Sequence, residues 1–424
     1  MMPRRCIAAL TLAATVAGCR QGTPVEQAGT LPAAGGSASD AALASEPGTG
    51  DLLATWVAGD SASTQLFFSR SSDRGASWSA PVRITSDAHD VAPTGEASPR
   101  IVAAGRGRIA VAWPRPIPVP GRQWPASSIR VARSHDGGRT WSAPVTVNDD
   151  TASAPGGHNF HGAAWVGDSG IMVAWLDERH GDSAVMARAS LTAAEPTSEP
   201  DAVVYTAFSP DFGVSWEPNR PVWGAACPCC RVTLARMNDG GALAAWRQHY
   251  PGNIRDVVIA PVAAVRSEPV RVHRDDWVFP GCPHAGPAVA IGADGSRHVV
   301  WYTGRTGGAG MYYARIDSAG RTGDALTLVT GDHIAPSHAA AVALGDGGAL
   351  AAYDAASDGS RLIGLARIGR DGRIVWKTTV PGSAGGRYPQ LAQAADGTVL
   401  LAWTGDTAGV SAIRLARIPA TRLN

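Results

Sequence analysis

The 424-residue chain lacks lysine almost entirely: Lys377 is the only one, and arginine supplies the rest of its cations. We read that scarcity as genome composition rather than chemistry. It also lacks a charge surplus, with 37 basic against 36 acidic residues, so it carries no footprint for nucleic acid or an anionic membrane surface. Aromatics make up only 6% and are mostly tryptophan. Long apolar runs are missing too. The best one, Ile7 to Ala17, is well short of the ~20 residues that a membrane-spanning helix needs. What is abundant is glycine and proline, 50 and 30 residues, a composition suited to many short strands joined by turns.

One phrase occurs three times: Ser71-Ser72-Asp73-Arg74-Gly75-Ala76-Ser77-Trp78, Ser134-His135-Asp136-Gly137-Gly138-Arg139-Thr140-Trp141 and Ser209-Pro210-Asp211-Phe212-Gly213-Val214-Ser215-Trp216. In a tight hairpin the Asp accepts bonds from its own turn, the Gly takes a conformation that side chains resist, and the Trp covers the hairpin. The pattern resembles the Asp-box, or BNR repeat, of sialidase-like β-propellers. A second, longer repeat places an apolar strand ending in Trp or Tyr at Trp56, Trp113, Trp175, Trp246, Trp301, Tyr353 and Trp403, at intervals of 57, 62, 71, 55, 52 and 50 residues. Periods near 50 with several strands each read as propeller blades. The expectation is an all-β propeller of four-stranded blades, seven favoured and six the alternative. The last unit stops one strand short, and an N-terminal strand could complete it.

At the N-terminus, Arg4 and Arg5 precede the apolar stretch, which ends Val16-Ala17-Gly18-Cys19. This resembles a bacterial lipobox and implies cleavage after residue 18 and lipidation of Cys19. Residues 19–50, rich in Ala, Gly, Ser, Thr and Pro, read as a flexible tether, and residues 51–424 as the propeller. The expected setting is the cell envelope, anchored to the outer membrane and facing the periplasm, as a monomer.

Aligning the first strand of each unit brings Arg100, His161, Arg231, His284, His338 and Tyr388 to equivalent starts, where they should converge on one end of the channel. Arg115, Asp177 with Arg179, Arg247, Arg305 and Asp354 form a second tier after the Trp strands. Such convergence is the signature of a small-molecule or glycan site. The chain further contains Cys227-Pro228-Cys229-Cys230 and Cys282-Pro283-His284, each just ahead of an inner strand. They are read either as disulfides or as a zinc or copper site made of Cys227, Cys229, Cys230, Cys282 and His284, with free thiols as a third state. Together with Trp246-Arg247 and Pro251 to Asp256 they resemble a bacterial subfamily of sialidase-like BNR proteins, over roughly residues 160–302.

That resemblance implies three arginines gripping a carboxylate, a Tyr nucleophile assisted by Glu, and an Asp acid/base. Arg100, Arg231 and Arg247 could supply the arginines, Tyr388 the nucleophile and Asp177 the acid, with no Glu assigned. No arginine lies between Arg20 and Arg70, where the family's first arginine belongs. The leading expectation is recognition of an anionic or carbohydrate-like ligand by the arginine and histidine ring. Exo-sialidase activity is the alternative, and metal binding the second alternative.

Overall fold

In a computed structural model, the described residues are 24–60, 62–121, 125–150, 156–179, 202–262, 267–331, 334–357, 360–407 and 409–423. Apart from two short 3-10 turns, their regular structure is all strand, arranged in five four-stranded antiparallel sheets and one of eight. The eight-stranded sheet is two successive meanders joined only at Ala226 and Gln248. Separated there, the described strands form seven four-stranded meanders. Their innermost strands are Ser37–Ser45, Arg100–Ala103, His158–Val166, Thr233–Arg236, Ala288–Ile291, Ala339–Ala343 and Arg387–Gln393. Each neighbours the next, and the last neighbours the first, so the fold is a β-propeller closed into a ring. Among the described residues no helix is long and apolar enough to cross a membrane.

The tryptophan repeat marks the second strand of each meander. Trp56, Trp113, Trp175, Trp246, Trp301 and Trp403 are fully buried, with Tyr353 in the same position of the sixth meander. Alternation along these strands sends one side chain set into each neighbouring sheet. The core therefore lies between blades, as where Val300, Met311, Ala339 and Tyr353 pack together. Truncating one such Trp would cost about 3–5 kcal/mol.

The tether expectation needs correction. Glu26–Thr30 and Ser37–Ser45 are both strands. The first pairs antiparallel with Val410–Ile418 and supplies the strand missing from the seventh meander. The second is the innermost strand of the first. Small residues such as Ala41 and Ala42 are buried there because the ring interior leaves little room. Composition mistook close packing for flexibility. The lipobox and Cys19 lie outside the described residues.

The three Ser-x-Asp-x-Gly turns share one hydrogen-bond set. Asp73 Oδ1 accepts from Ser71 Oγ (2.8 Å) and the Ser77 amide (2.8 Å), and Oδ2 accepts from Ser77 Oγ (2.6 Å). Ser71 Oγ in turn accepts from the Gly75 amide at 2.8 Å, and Gly75 has φ +79°. Asp136 and Asp211 repeat the arrangement. These turns follow the third strand of each meander, so antiparallel order puts them at the end opposite the starts of the inner strands.

Two predictions follow from the fold. The Ser77 bonds hold the Asp73 carboxyl down at about 2, below the ~3.9 of an unfolded chain. Its stabilisation is thus complete above pH ~4 and fades as pH falls through ~2. The thermal midpoint of Asp73→Asn should trail the natural protein at pH 6 and converge with it towards pH 2. Removal of the closing strand should be costly as well. Val25 and Leu31 are both buried, and two aliphatic side chains are worth ~3–6 kcal/mol. A chain starting at Pro24 should match the full chain in urea unfolding, whereas one starting at Gly36 should lose about that much.

Candidate functional site

The starts of the inner strands are irregular, and the irregularity aims their side chains. Register slips occur between Ser39 and Ala42, between Asn159 and Gly162, and between Arg387 and Gln390. Asp40, Phe160 and Tyr388, one in each slip, take φ of +54°, +54° and +56°. A bulge turns a side chain out of the ladder plane, and left-handed backbone at a bulky residue is strained.

At the centre lies Glu96, buried in the 3-10 turn Gly95–Ala97 that joins the first two meanders. It accepts from Arg231 Nη1 at 3.1 Å, from the Arg231 amide at 3.2 Å, and from the Gly286 amide. Arg231 Nη2 donates to the Ala339 carbonyl at 2.7 Å. His338 Nε2 stands 3.9 Å from Glu96, and its Nδ1 is 2.8 Å from Asp354. Asp354 also accepts from the Tyr388 amide (2.9 Å) and from Arg361 Nη1 (2.7 Å). Burial pushes the Asp354 carboxyl up, but His338 and Arg361 outweigh it and hold it below the usual range.

The Tyr388 ring centroid lies 4.2 Å from that of His338, with the two planes tilted by 48°. Its hydroxyl lies against Gly95, where an added Cβ would stand 2.2 Å from the oxygen. Burial, helped by the charges of Asp40, Glu96 and Asp354, pushes this phenol up to about 12. Asp40 accepts from the Gly95 amide at 2.7 Å, and its burial raises the carboxyl above the ordinary value. Arg100 donates to Ser98 Oγ at 2.8 Å and to the His161 carbonyl at 3.3 Å. Burial, then the charge of Arg231, lowers the Arg100 guanidinium, and its Nη2 is buried with no hydrogen-bond partner. Burial holds His161 neutral, at about 3. Outward from this cluster a cleft of about 610 Å³ opens, lined among others by Ser39, Asp40, Thr64, Tyr388, Thr404 and Ser411.

Of the ring predicted from sequence, Arg100, His161, Arg231, His338 and Tyr388 are joined through these contacts. Others are engaged elsewhere and do not join the Glu96 cluster. Asp177, proposed as the acid, is buried under Trp175 Nε1 (2.8 Å) and Arg179 Nη2 (2.9 Å). Arg179 itself lies 4.3 Å over Tyr205. Arg247 is buried and spends its guanidinium on the carbonyls of Arg255, Ala285 and Tyr302. It therefore cannot complete an arginine triad with Arg100 and Arg231. Arg305 pairs with Asp275 at 3.5 Å, and Arg115 with Asp90 at 3.2 Å. These four arginines, near the ends of second strands, are held by groups of their own or neighbouring meanders, whereas Asp354 at the same place in the sixth meander reaches the cluster through His338.

Sequence reasoning missed Asp40, Glu96 and Arg361. Asp40 did carry a signal, because Asp40-Ala41-Ala42 repeats the polar-then-small pattern of His338-Ala339-Ala340. Glu96 sits in a loop with no periodic mark.

The cysteines do gather, and no disulfide joins Cys227, Cys229, Cys230 and Cys282 in this structure. Cys227 Sγ stands 3.8 Å from Cys229 Sγ, 3.5 Å from Cys230 Sγ and 2.9 Å from Arg255 Nη1. Burial pushes the Cys227 thiol up, but its hydrogen bonds with Cys229 and Cys230 and the Arg255 charge outweigh it and hold it below the usual range. Cys229 is raised by its bond to Cys227, and Cys230 by burial. His284, at φ +48°, brings its ring within 5.9 Å of Phe160. It is thus drawn to the cysteines rather than to Glu96.

The architecture and the cluster place the chain among β-propellers of four-stranded blades. Neither a protein-family model nor a curated protein matches it. Solved structures do. A protein of unknown function from Dyadobacter fermentans is similar at 13% identity and TM-score 0.52, over 93% of this chain and 98% of that one. A polysaccharide lyase, an ulvan lyase bound to a GlcA-Rha3S saccharide, is similar at 9% identity and TM-score 0.51, over 92% and 94%. A sialidase from Streptococcus pneumoniae matches at 12% identity and TM-score 0.46, over 95% and 71%. At these identities the likeness is one of fold.

The contact between Tyr388 and Gly95 makes a test. Gly95→Ala forces a methyl against the hydroxyl at φ +64°, which should cost about 1–3 kcal/mol in denaturant unfolding. In a Tyr388→Ala background, which removes the ring carbons as well as the hydroxyl, the same change should cost measurably less.

Proposed function

We propose that this protein binds a carbohydrate in the cleft beside Asp40 and Tyr388, at the end of the channel where the inner strands begin. The observation that carries this reading is the lining. Ser39, Thr64, Thr404, Ser411 and Tyr388, all hydroxyl residues, line about 610 Å³ together with the carboxyl residues Asp40 and Asp60, within the ~300–1,000 Å³ of small-molecule sites. Sugars offer many hydroxyls and demand such mixed donors and acceptors.

Between the two ligand classes expected from sequence, charge favours the uncharged one. Arg231 is paired with Glu96, Arg361 with Asp354, and Arg387 with Asp406 at 3.0 Å. Arg100 alone in the cluster has no carboxylate bonded to it, and it does not line the cleft, so little positive charge faces a bound carboxylate or sulfate there. On a panel of immobilised glycans, neutral oligosaccharides should be retained. Tyr388→Phe should weaken binding about tenfold, equivalent to ~1.4 kcal/mol. Retention of acidic glycans alone, or binding indifferent to Tyr388→Phe, would sink the proposal.

One observation favours exo-sialidase-type hydrolysis as a second reading. The Tyr388 hydroxyl, beside Gly95 and close to Glu96, forms the Tyr–Glu neighbourhood that chemistry requires. Against it stand a phenol pushed up to about 12 and an arginine set without Arg247. Turnover of a fluorogenic sialoside, abolished in Tyr388→Phe, would put this reading first.

We propose further that the chain is a monomer tethered by lipid on Cys19 to the outer membrane, facing the periplasm. The apolar stretch ending Val16-Ala17-Gly18-Cys19 supports this. Partition of the natural protein into the detergent phase, and of Cys19→Ala into the aqueous phase, is the expected result.

A further inference from the structure

The cysteine cluster is the strongest feature that carbohydrate binding leaves unused. Cys227, Cys229 and Cys230 lie in the link from the third meander to the fourth, and Cys282 and His284 in the link into the fifth. Cys227, Cys229 and Cys230 can bring their sulfurs within 4.8 Å of one another, and so can Cys229, Cys282 and His284 with their donor atoms. The two triplets share Cys229.

Spacing and chemistry fit a soft metal. Three sulfurs each ~2.3 Å from one ion stand ~3.8–4.0 Å apart, whether the arrangement is tetrahedral or trigonal. The separations from Cys227, 3.8 Å to Cys229 and 3.5 Å to Cys230, nearly meet that without rearrangement. Thiolates select Cu(I), zinc or iron–sulfur clusters. A closed zinc site wants four ligands around a single ion, whereas this donor set divides into two groups of three. Cu(I) accepts three ligands, and a thiolate readily bridges two Cu(I) ions.

The surroundings agree. The three sulfurs of the first triplet are buried, with Phe160 packed against them, so water is kept from the metal. Four thiolates and two Cu(I) carry a net charge of −2, and the Arg255 guanidinium, 2.9 Å from Cys227 Sγ, offsets one unit. His284 is exposed and gives the ion a route inwards.

We propose that Cys227, Cys229, Cys230, Cys282 and His284 bind two Cu(I) ions bridged by the Cys229 thiolate. Thiol protons leave to solvent as the Cu–S bonds form, and no electron is transferred because copper arrives reduced. The bound pair ties the link into the fourth meander to the link into the fifth. Those links hold Glu96 through the amides of Arg231 and Gly286.

The test uses the full chain carrying Cys6→Ser and Cys19→Ser, reduced, metal-free and kept under nitrogen. It is titrated with Cu(I) against the chelator bicinchoninate, and in parallel with Zn(II). The expected result is withdrawal of two copper equivalents, with thiolate-to-copper absorption rising in step and a higher thermal midpoint. Cys282→Ser should keep one equivalent, and Cys229→Ser less than one. If a variant fails to fold, the parent titration decides alone. Failure to compete with the chelator, or uptake of one zinc in preference to copper, overturns the proposal, as does retention of both coppers in Cys229→Ser and Cys282→Ser.

Discussion

The buried ion pair between Glu96 and Arg231 is the contact on which the channel end depends. Glu96 belongs to the link between the first and second meanders, and Arg231 begins the run into the fourth. Through Gly286 the pair reaches the fifth meander, and through Ala339 the sixth. His338, Asp354 and Tyr388 continue the chain of contacts into the seventh, and Asp40 returns it to the first. A buried carboxylate is tolerated only when its oxygens are fully bonded, and here two amides and a guanidinium do that. The ring therefore has a polar hub where other parts of the core are apolar.

That hub explains why the strained backbone lies where it does. Regular inner strands would send alternate side chains into the sheets on either side, and few would meet at the axis. The slips at Ser39–Ala42 and Arg387–Gln390 break the alternation and leave Asp40 and Tyr388 in left-handed conformations. Strain of this kind, of order 1–3 kcal/mol per residue, persists only where surrounding contacts fix it. Asp40 is fixed by Gly95 and Thr404, and Tyr388 by Asp354 and the His338 ring. The same residues that are strained line the cleft.

Much of the fold was legible because its marks are periodic. The Trp repeat located every second strand, and the incomplete last meander pointed to an N-terminal strand. The inner-strand alignment brought Arg100, Arg231, His338 and Tyr388 together correctly, since equivalent positions in a closed ring face one another. It failed for His284, which goes to the cysteines, and the second tier failed for Arg179, Arg247 and Arg305, because a side chain at the end of a second strand can fold back onto carbonyls or neighbouring carboxylates. No alignment of one sequence reveals that choice. Glu96 was illegible for another reason: a loop residue acquires its partners from meanders 135 and 190 residues away in the chain. Residues 19–50 misled because Ala and Gly serve tight packing as readily as flexibility.

A double-mutant cycle on the pair tests its central place most directly, with Glu96→Leu, Arg231→Met and both together followed by urea unfolding. Each single change strands a buried charge and should cost about 3–5 kcal/mol, while the double variant should cost little more than one of them. Single variants that lose less than ~1 kcal/mol, or a double variant that loses the plain sum, would contradict a channel end organised around Glu96 and Arg231.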